Sequence, residues 1–159
     1  MENNNLKIRL LEEKDLSQLS KVYAKTFNKA YPDENWEDKS ARDFLDYWYK
    51  TQPDLFFVAS INDIAIGGVV GIIKPWWNGL SFSDGELFVD PDFQNQGIGK
   101  KLFKEVIKKA QEKYNVSGVQ GITNGRKEFP LVWYEKIGLK KSGYVHLEGD
   151  AKKILENLK

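Results

Sequence analysis

The stretch that most restricts this chain is FSDGELFVDPDFQNQGIGKKLFKEVIKKAQEKY, residues 82–114. An apolar, strand-like run is halted by Pro91, which cannot donate to a ladder, and the chain then crosses a turn with glycines at 97 and 99. From Ile98, residues Leu102, Val106, Ala110 and Tyr114 recur every four positions while lysines fall largely between them, which predicts an amphipathic helix. Strand, small-residue turn and helix in that order leave the helix's first backbone N–H groups pointing outward with the positive end of its dipole behind them. Such a turn is built to hold an anion.

The spacing discriminates among nucleotide motifs. A P-loop needs glycine five positions before Gly99, where Gln94 stands, and Ser or Thr after Lys100, where Lys101 stands. The dinucleotide fingerprint fails because Leu102 occupies its third glycine position. The residues by themselves leave open a glycine-containing tight turn before an ordinary surface helix.

The rest of the chain supplies the framework. Leu6 to Leu10 reads as a first strand, and Leu16, Leu19, Tyr23 and Phe27 predict a helix. After the breaker-rich AYPDEN, residues Ala41, Phe44, Leu45 and Trp48 predict a second helix. LFFVASINDIAIGGVVGIIK is β-branched with Asn62-Asp63 at its centre, the pattern of two antiparallel strands joined by a tight turn. SFSDGELFVD and VSGVQGIT predict further strands, Pro130 opens and Gly138 closes a short helix, and LKKSGYVHLE predicts a last strand before the charged tail AKKILENLK. The expected order is β-α-α-β-β-β-α-β-α-β, an α/β chain with a mixed sheet flanked by helices.

At 159 residues with 41% apolar content, the chain is expected to form a single domain over residues 1–159. Net charge is +1, so nothing global steers it to nucleic acid or to an anionic membrane, and no partner of either kind is expected. The absence of cysteine excludes disulfides, thiolate zinc and a cysteine nucleophile. No segment approaches a membrane span and the N-terminus lacks an apolar signal core, so the expectation is a soluble, cytoplasmic protein. No metal is expected, since no His, Asp and Glu cluster has ligand spacing.

Gln94-Asn95-Gln96-Gly97-Ile98-Gly99, preceded by GELFVDPDF and followed by KKLF, resembles the acetyl-CoA signature Q/R-x-x-G-x-G/A of the GNAT superfamily of N-acetyltransferases. WYEKIGL at residues 133–139 is similar to that family's late Y-E-K-x-G-F segment, with Leu139 in place of the usual aromatic. The resemblance runs over nearly the whole chain and implies a mostly antiparallel central sheet flanked by helices. It implies that backbone amides near Phe88 and Val89 pair with the pantetheine arm of acetyl-CoA. Residues Gln94, Asn95, Gln96, Gly97, Ile98, Gly99 and Lys100 would wrap the pyrophosphate.

The chemistry implied is direct transfer of an acetyl group to a primary amine in a ternary complex, with a small cationic molecule as acceptor. A base is useful, because an amine with a lysine-like pKa is neutral only about once in 10³ at pH 7. Glu86 is the candidate, since on a regular strand residues 84, 86 and 88 share one face that leads into the glycine turn, with Asp84 in reserve. A solvated carboxylate on an edge strand is the other reading of Glu86. Periodicity reads Tyr134 as a core tyrosine with its hydroxyl at the rim. The resemblance implies instead that it donates a proton to the departing CoA thiolate. Asp33, Glu34, Glu37 and Asp38 with Trp36, Trp76 and Trp77 are expected to favour a cationic acceptor, although Glu37 and Asp38 equally suit a helix start. Acetylation of a peptide N-terminus or lysine, and a non-catalytic acyl-CoA-binding module, are the alternatives. Oligomeric state is left open, with a homodimer among the options.

Overall fold

A computed structural model describes residues 5–158 of the chain. They form two compact units, divided after Gly121.

The first unit is a five-stranded sheet in the order β1 (Leu6–Leu10), β2 (Phe57–Ile61), β3 (Ile64–Trp76), β4 (Gly79–Val89) and β5 (Gly118–Val119). The first three pairings are antiparallel and β4–β5 is parallel. Asn62 and Asp63 both adopt positive φ, 50° and 63°, and make the tight β2–β3 turn that their residue types favour. Helices α1 (Leu16–Ala30) and α2 (Asp38–Thr51) cover one face of the sheet, and α3 (Ile98–Tyr114) covers the other.

Because both faces are covered, β2 is buried along almost its whole length and, Ser60 apart, carries apolar residues rather than alternating with polar ones. Phe56 and Val58 join Leu16, Leu19, Tyr23, Leu45 and Trp48 beneath α1 and α2, while Phe57 and Ala59 join Ile98, Leu102, Val106 and Ala110 beneath α3. The stripes read from the sequence for all three helices are the ones turned to the core, with Phe27, Phe44 and Tyr114 half-buried at its margin.

One irregularity decides what β4 presents. Val70 pairs with Glu86 but Ile72 pairs with Ser83, so Asp84 and Gly85 both stand opposite Gly71 in a β-bulge. A Cβ on Gly85 would lie 1.9 Å from the Val70 carbonyl oxygen, so only glycine lets the two strands close here. The expectation that residues 84, 86 and 88 share a face by simple alternation is therefore corrected. Ser83, Glu86 and Phe88 line up on the α1/α2 side, and Asp84 is displaced to pair with Lys74 at 2.9 Å.

The second unit, residues 122–158 of those described, carries two short helices, α4 (Leu131–Lys136) and α5 (Ala151–Asn157). Gly138, at φ 105°, ends α4 as expected: its N–H donates to the Glu135 carbonyl and that of Leu139 to the Tyr134 carbonyl. Asp150 caps α5 by accepting from the Lys153 N–H at 2.9 Å.

Two expected strands are corrected. VSGVQGIT shrinks to Gly118–Val119, and LKKSGYVHLE forms no strand. The latter's apolar residues, Tyr144, Val145 and Leu147, are exposed, and the described part of the second unit contains no strand to complete a ladder with them. Propensity alone does not hold a strand without a partner.

Candidate functional site

The parallel partner β5 reaches only as far as Phe82, pairing Ser81 with Gly118 and Phe82 with Val119. Beyond Gln120, whose N–H donates to the Phe82 carbonyl at 2.9 Å, the chain leaves β4. Residues 83–89 keep β3 on one side and have no ladder partner on the other among the described residues.

The groups that face this open edge follow from the ladder. Asp90 donates to the Ile66 carbonyl at 2.8 Å, so alternate residues Phe88 and Glu86 also turn their N–H and C=O toward β3. Val89 and Leu87 turn theirs outward. Of the two positions expected to offer backbone amides, Val89 lies on the open edge, whereas Phe88 contributes a buried ring. Leu87 was missed by sequence reasoning, because strand edge cannot be read without the register.

The glycine turn continues from that edge. The Val89 carbonyl accepts from the Gln94 side-chain amide at 2.9 Å, which closes the loop onto the strand end. Asn95 and Gly97 take positive φ, 62° and 76°. Gly97 is the residue before the first turn of α3, and a Cβ there would meet nothing within 4 Å, so the space above it is open. The first intrahelical bond runs from Lys101 N–H to the Gly97 carbonyl at 3.1 Å, leaving the N–H groups of Ile98, Gly99 and Lys100 as the helix's donors. Gln94, Asn95, Gln96, Gly97 and Lys100 are exposed, while the Ile98 side chain is buried and anchors the helix start. Lys25 of α1 fastens the loop before the turn by pairing with Asp90 and Asp92, each at 2.7 Å.

Upstream on β4, the Glu86 carboxyl is half-buried against α1. Burial pushes its pKa up to about 7, against the lowering effect of a hydrogen bond from the Tyr23 hydroxyl, with Glu34 adding a further push upward. The Tyr23 hydroxyl donates to Glu86 Oε2 at 3.4 Å. Around Tyr23 stand Phe27 (ring centroids 4.3 Å apart), Phe88 (5.0 Å), Trp36 (5.1 Å) and Phe44 (5.4 Å). Trp36 is itself held, its backbone bonded twice to the Asn28 side chain and its indole N–H donating to Glu34 at 2.6 Å. Three residues of strand, about 10 Å, separate Glu86 from Val89.

Other candidates are distributed elsewhere. Glu37 is absorbed by α2, where its carboxylate and the Ser40 hydroxyl form a reciprocal cap. Trp76 ends β3 and Trp77 lies in the turn to β4, and the seven steps of strand from Gly79 to Glu86 put them roughly 20 Å from the carboxylate, not beside it. Tyr134 belongs to α4 in the second unit, half-buried, its ring 4.9 Å from that of Trp133. His146 lies in the same unit beside Glu148. No described helix is long and apolar enough to cross a membrane.

Comparison with known proteins meets this geometry from outside. An uncharacterized N-acetyltransferase of Methanocaldococcus jannaschii, MJ1207, is 30% identical over 113 residues, a match covering 67% of this chain and 48% of that protein. The chain thus spans about half the length of the curated relative it matches. Among solved structures, PH1933 from Pyrococcus horikoshii OT3 superposes with a TM-score of 0.73 at 27% identity, over 89% of this chain and 92% of the other. A possible acetyltransferase from Clostridium difficile 630 gives 0.75 at 14% identity, over 93% and 99%. The aminoglycoside N-acetyltransferase AAC(6')-Iy in complex with CoA gives 0.67 at 18% identity, over 92% and 95%; at such identities the likeness is one of fold. The model of the acetyltransferase (GNAT) family matches residues 17–124, from the second residue of α1 through the open edge of β4 and the glycine turn. The chain belongs to the acetyltransferase (GNAT) family.

Proposed function

We propose that the protein is an acetyl-CoA-dependent N-acetyltransferase whose acceptor is the primary amine of a small cationic molecule, and that residues 1–159 act as one catalytic domain. The observation that carries the reading is the continuity of the open half of β4 with the donor-rich start of α3. An extended amide-bearing arm needs a strand edge, its diphosphate needs free N–H groups, and both occur in the order and direction that one ligand would use. The space above Gly97 fits this group.

Bound acetyl-CoA supplies an activated acyl thioester. The outward N–H groups of Leu87 and Val89 pair with its arm, and one of them stabilises the developing oxyanion. Gln94 to Lys100 receive the pyrophosphate through backbone N–H groups, with the Lys100 ammonium as a mobile charge. Glu86 takes the proton of the incoming ammonium, directly or through a water. As the new N–C bond forms and the C–S bond breaks, Tyr134 donates its phenolic proton to the departing thiolate, and the second proton shed by the nitrogen as it becomes an amide returns through water to the Tyr134 oxygen. A base with a pKa of about 7 suits this task, being half ionised near neutrality while still able to hold a proton.

Support for a cationic acceptor comes from Glu34 beside Glu86, from the aromatic face of Trp36, and from two fold relatives named as aminoglycoside acetyltransferases. The decisive experiment pairs binding with turnover. CoA at a hundredfold excess over Kd should stabilise the fold by about 2.7 kcal/mol, and Gly97→Glu, which places bulk and negative charge at the phosphate site, should abolish that gain. Over an amine panel, multiply charged amines should outperform neutral or acidic ones, and kcat/KM should fall with added salt. Transfer to peptides alone would favour a protein acetyltransferase, and CoA binding without turnover a non-catalytic module.

A further inference from the structure

We propose that Tyr23 is a positioning residue for Glu86, its hydroxyl engaging Oε2 so that Oε1 is the oxygen presented to the reacting amine. The proposal rests on the reading of Glu86 as the base.

Tyr23 is 2% exposed, and its ring is stacked on Phe27 and met by Trp36, Phe44 and Phe88. A ring so enclosed has one place for its hydroxyl. Among the described residues the only group to which that hydroxyl is bonded is Glu86 Oε2, at 3.4 Å. Leaving a buried phenol unpaired is costly, so the contact persists whenever the carboxylate is ionised. Burial, followed by the charge of Glu86, raises the Tyr23 pKa far above its ordinary value, so the phenol stays a donor throughout the working range. It is therefore a fixed donor and not a second base.

Among the described residues two titratable groups face Glu86, Tyr23 from α1 and Glu34 from the α1–α2 loop, and they act in opposite senses. Opposite it on β3 stands apolar Val70, Phe44 of α2 belongs to the aromatic cluster around Tyr23, and on its own strand Asp84 is turned to Lys74. No cation answers the carboxylate among these neighbours. Among the described residues Tyr23 is thus the one group that favours the ionised form, and it does so by bonding to a single oxygen, which fixes orientation as well as charge.

Tyr23→Phe tests this with little change of volume. With carboxyl carbons labelled by ¹³C, the NMR midpoint of Glu86 should rise by about half a pH unit to one unit in the variant. The acid limb of kcat/KM should move by the same amount, and kcat should fall severalfold while KM for acetyl-CoA holds. Replacing Tyr23 by 3-fluorotyrosine, a stronger donor, should move both quantities the other way, which keeps the test decisive if Tyr23→Phe folds poorly. A Glu86 midpoint unmoved in both variants overturns the role of Tyr23, even if Glu86 is the base. An acid limb that persists in Glu86→Gln overturns the base reading instead.

Discussion

Two carboxylates in the first unit, Glu86 and Asp54, are both shielded from water, and their surroundings drive them in opposite directions. Asp54, at the foot of α3, suffers a burial penalty too. Yet it accepts from Lys113 at 2.7 Å, from the Tyr114 hydroxyl at 2.5 Å and from Gln52 at 2.7 Å, and these donors hold its pKa down at about 2. Glu86 has a single long bond from a neutral hydroxyl, and its pKa rises to about 7. Saturating a carboxylate with donors makes a clamp between α3 and the turn before β2. Leaving one nearly unpartnered makes a group that can exchange a proton at neutral pH.

The largest expected consequence is kinetic. Glu86→Gln should lower kcat by about 10² to 10⁴ with a smaller change in KM, measured under conditions where chemistry limits the rate. In the wild type, kcat/KM should rise with pH through about 7, where Glu86 ionises. Equal loss in KM alone would place the base elsewhere and dissolve the contrast.

Tyr134→Phe should preserve CoA affinity and slow transfer by about 10² or more, since only the phenolic proton is removed. A kcat within a factor of two of wild type would return Tyr134 to a structural role.

Stability should separate the two carboxylates by sign. Asp54 has a folded pKa near 2 against an ordinary 3.8, so the stability it contributes is present above 3.8 and is lost as pH falls toward 2. Asp54→Asn should cost about 1–2 kcal/mol at neutral pH by chemical denaturation, with activity retained. Glu86 has a folded pKa near 7 against an ordinary 4.5, so its folded form binds the extra proton between those values and stability declines as pH climbs from 4.5 to 7. Glu86→Gln should therefore stabilise the fold above pH 7, by about 1–3 kcal/mol. A variant that loses activity while gaining stability marks a functional site; one that loses stability while keeping activity marks a clamp. Identical signs for both would remove the distinction.

How far the sequence discloses this depends on range. The glycine turn and the stripe of α3 are local patterns, legible because each is written in residues three or four apart. The bulge had a local signal, since Gly85 interrupts a strand interior, but its register needs the opposing Val70 and Ile72. Tyr23 reads from sequence as one more core position of α1. Its hydroxyl matters because of a residue 63 positions away, a separation that periodicity does not register. Asp54 went unnoticed for the same reason, its donors Lys113 and Tyr114 lying 59 and 60 residues on. The strand expected at LKKSGYVHLE failed through reliance on propensity where pairing decides.

The bulge at Asp84 and Gly85 carries a consequence that concerns counting. Before it, Leu80 and Phe82, even-numbered, pack beneath α3; after it the odd-numbered Leu87 and Val89 do so. β4 thus changes parity in mid-strand, and even-numbered Glu86 stands on the α1 side although even-numbered Leu80 and Phe82 face α3. Deleting either Asp84 or Gly85 would alter no side chain of the proposed chemistry. It would restore one alternation along the whole strand, with Leu87 and Val89 still under α3 and Glu86 still opposite Val70 on the α1 side, so the additional residue sets the local bend and twist of β4 beside the carboxylate and not the face on which the carboxylate lies.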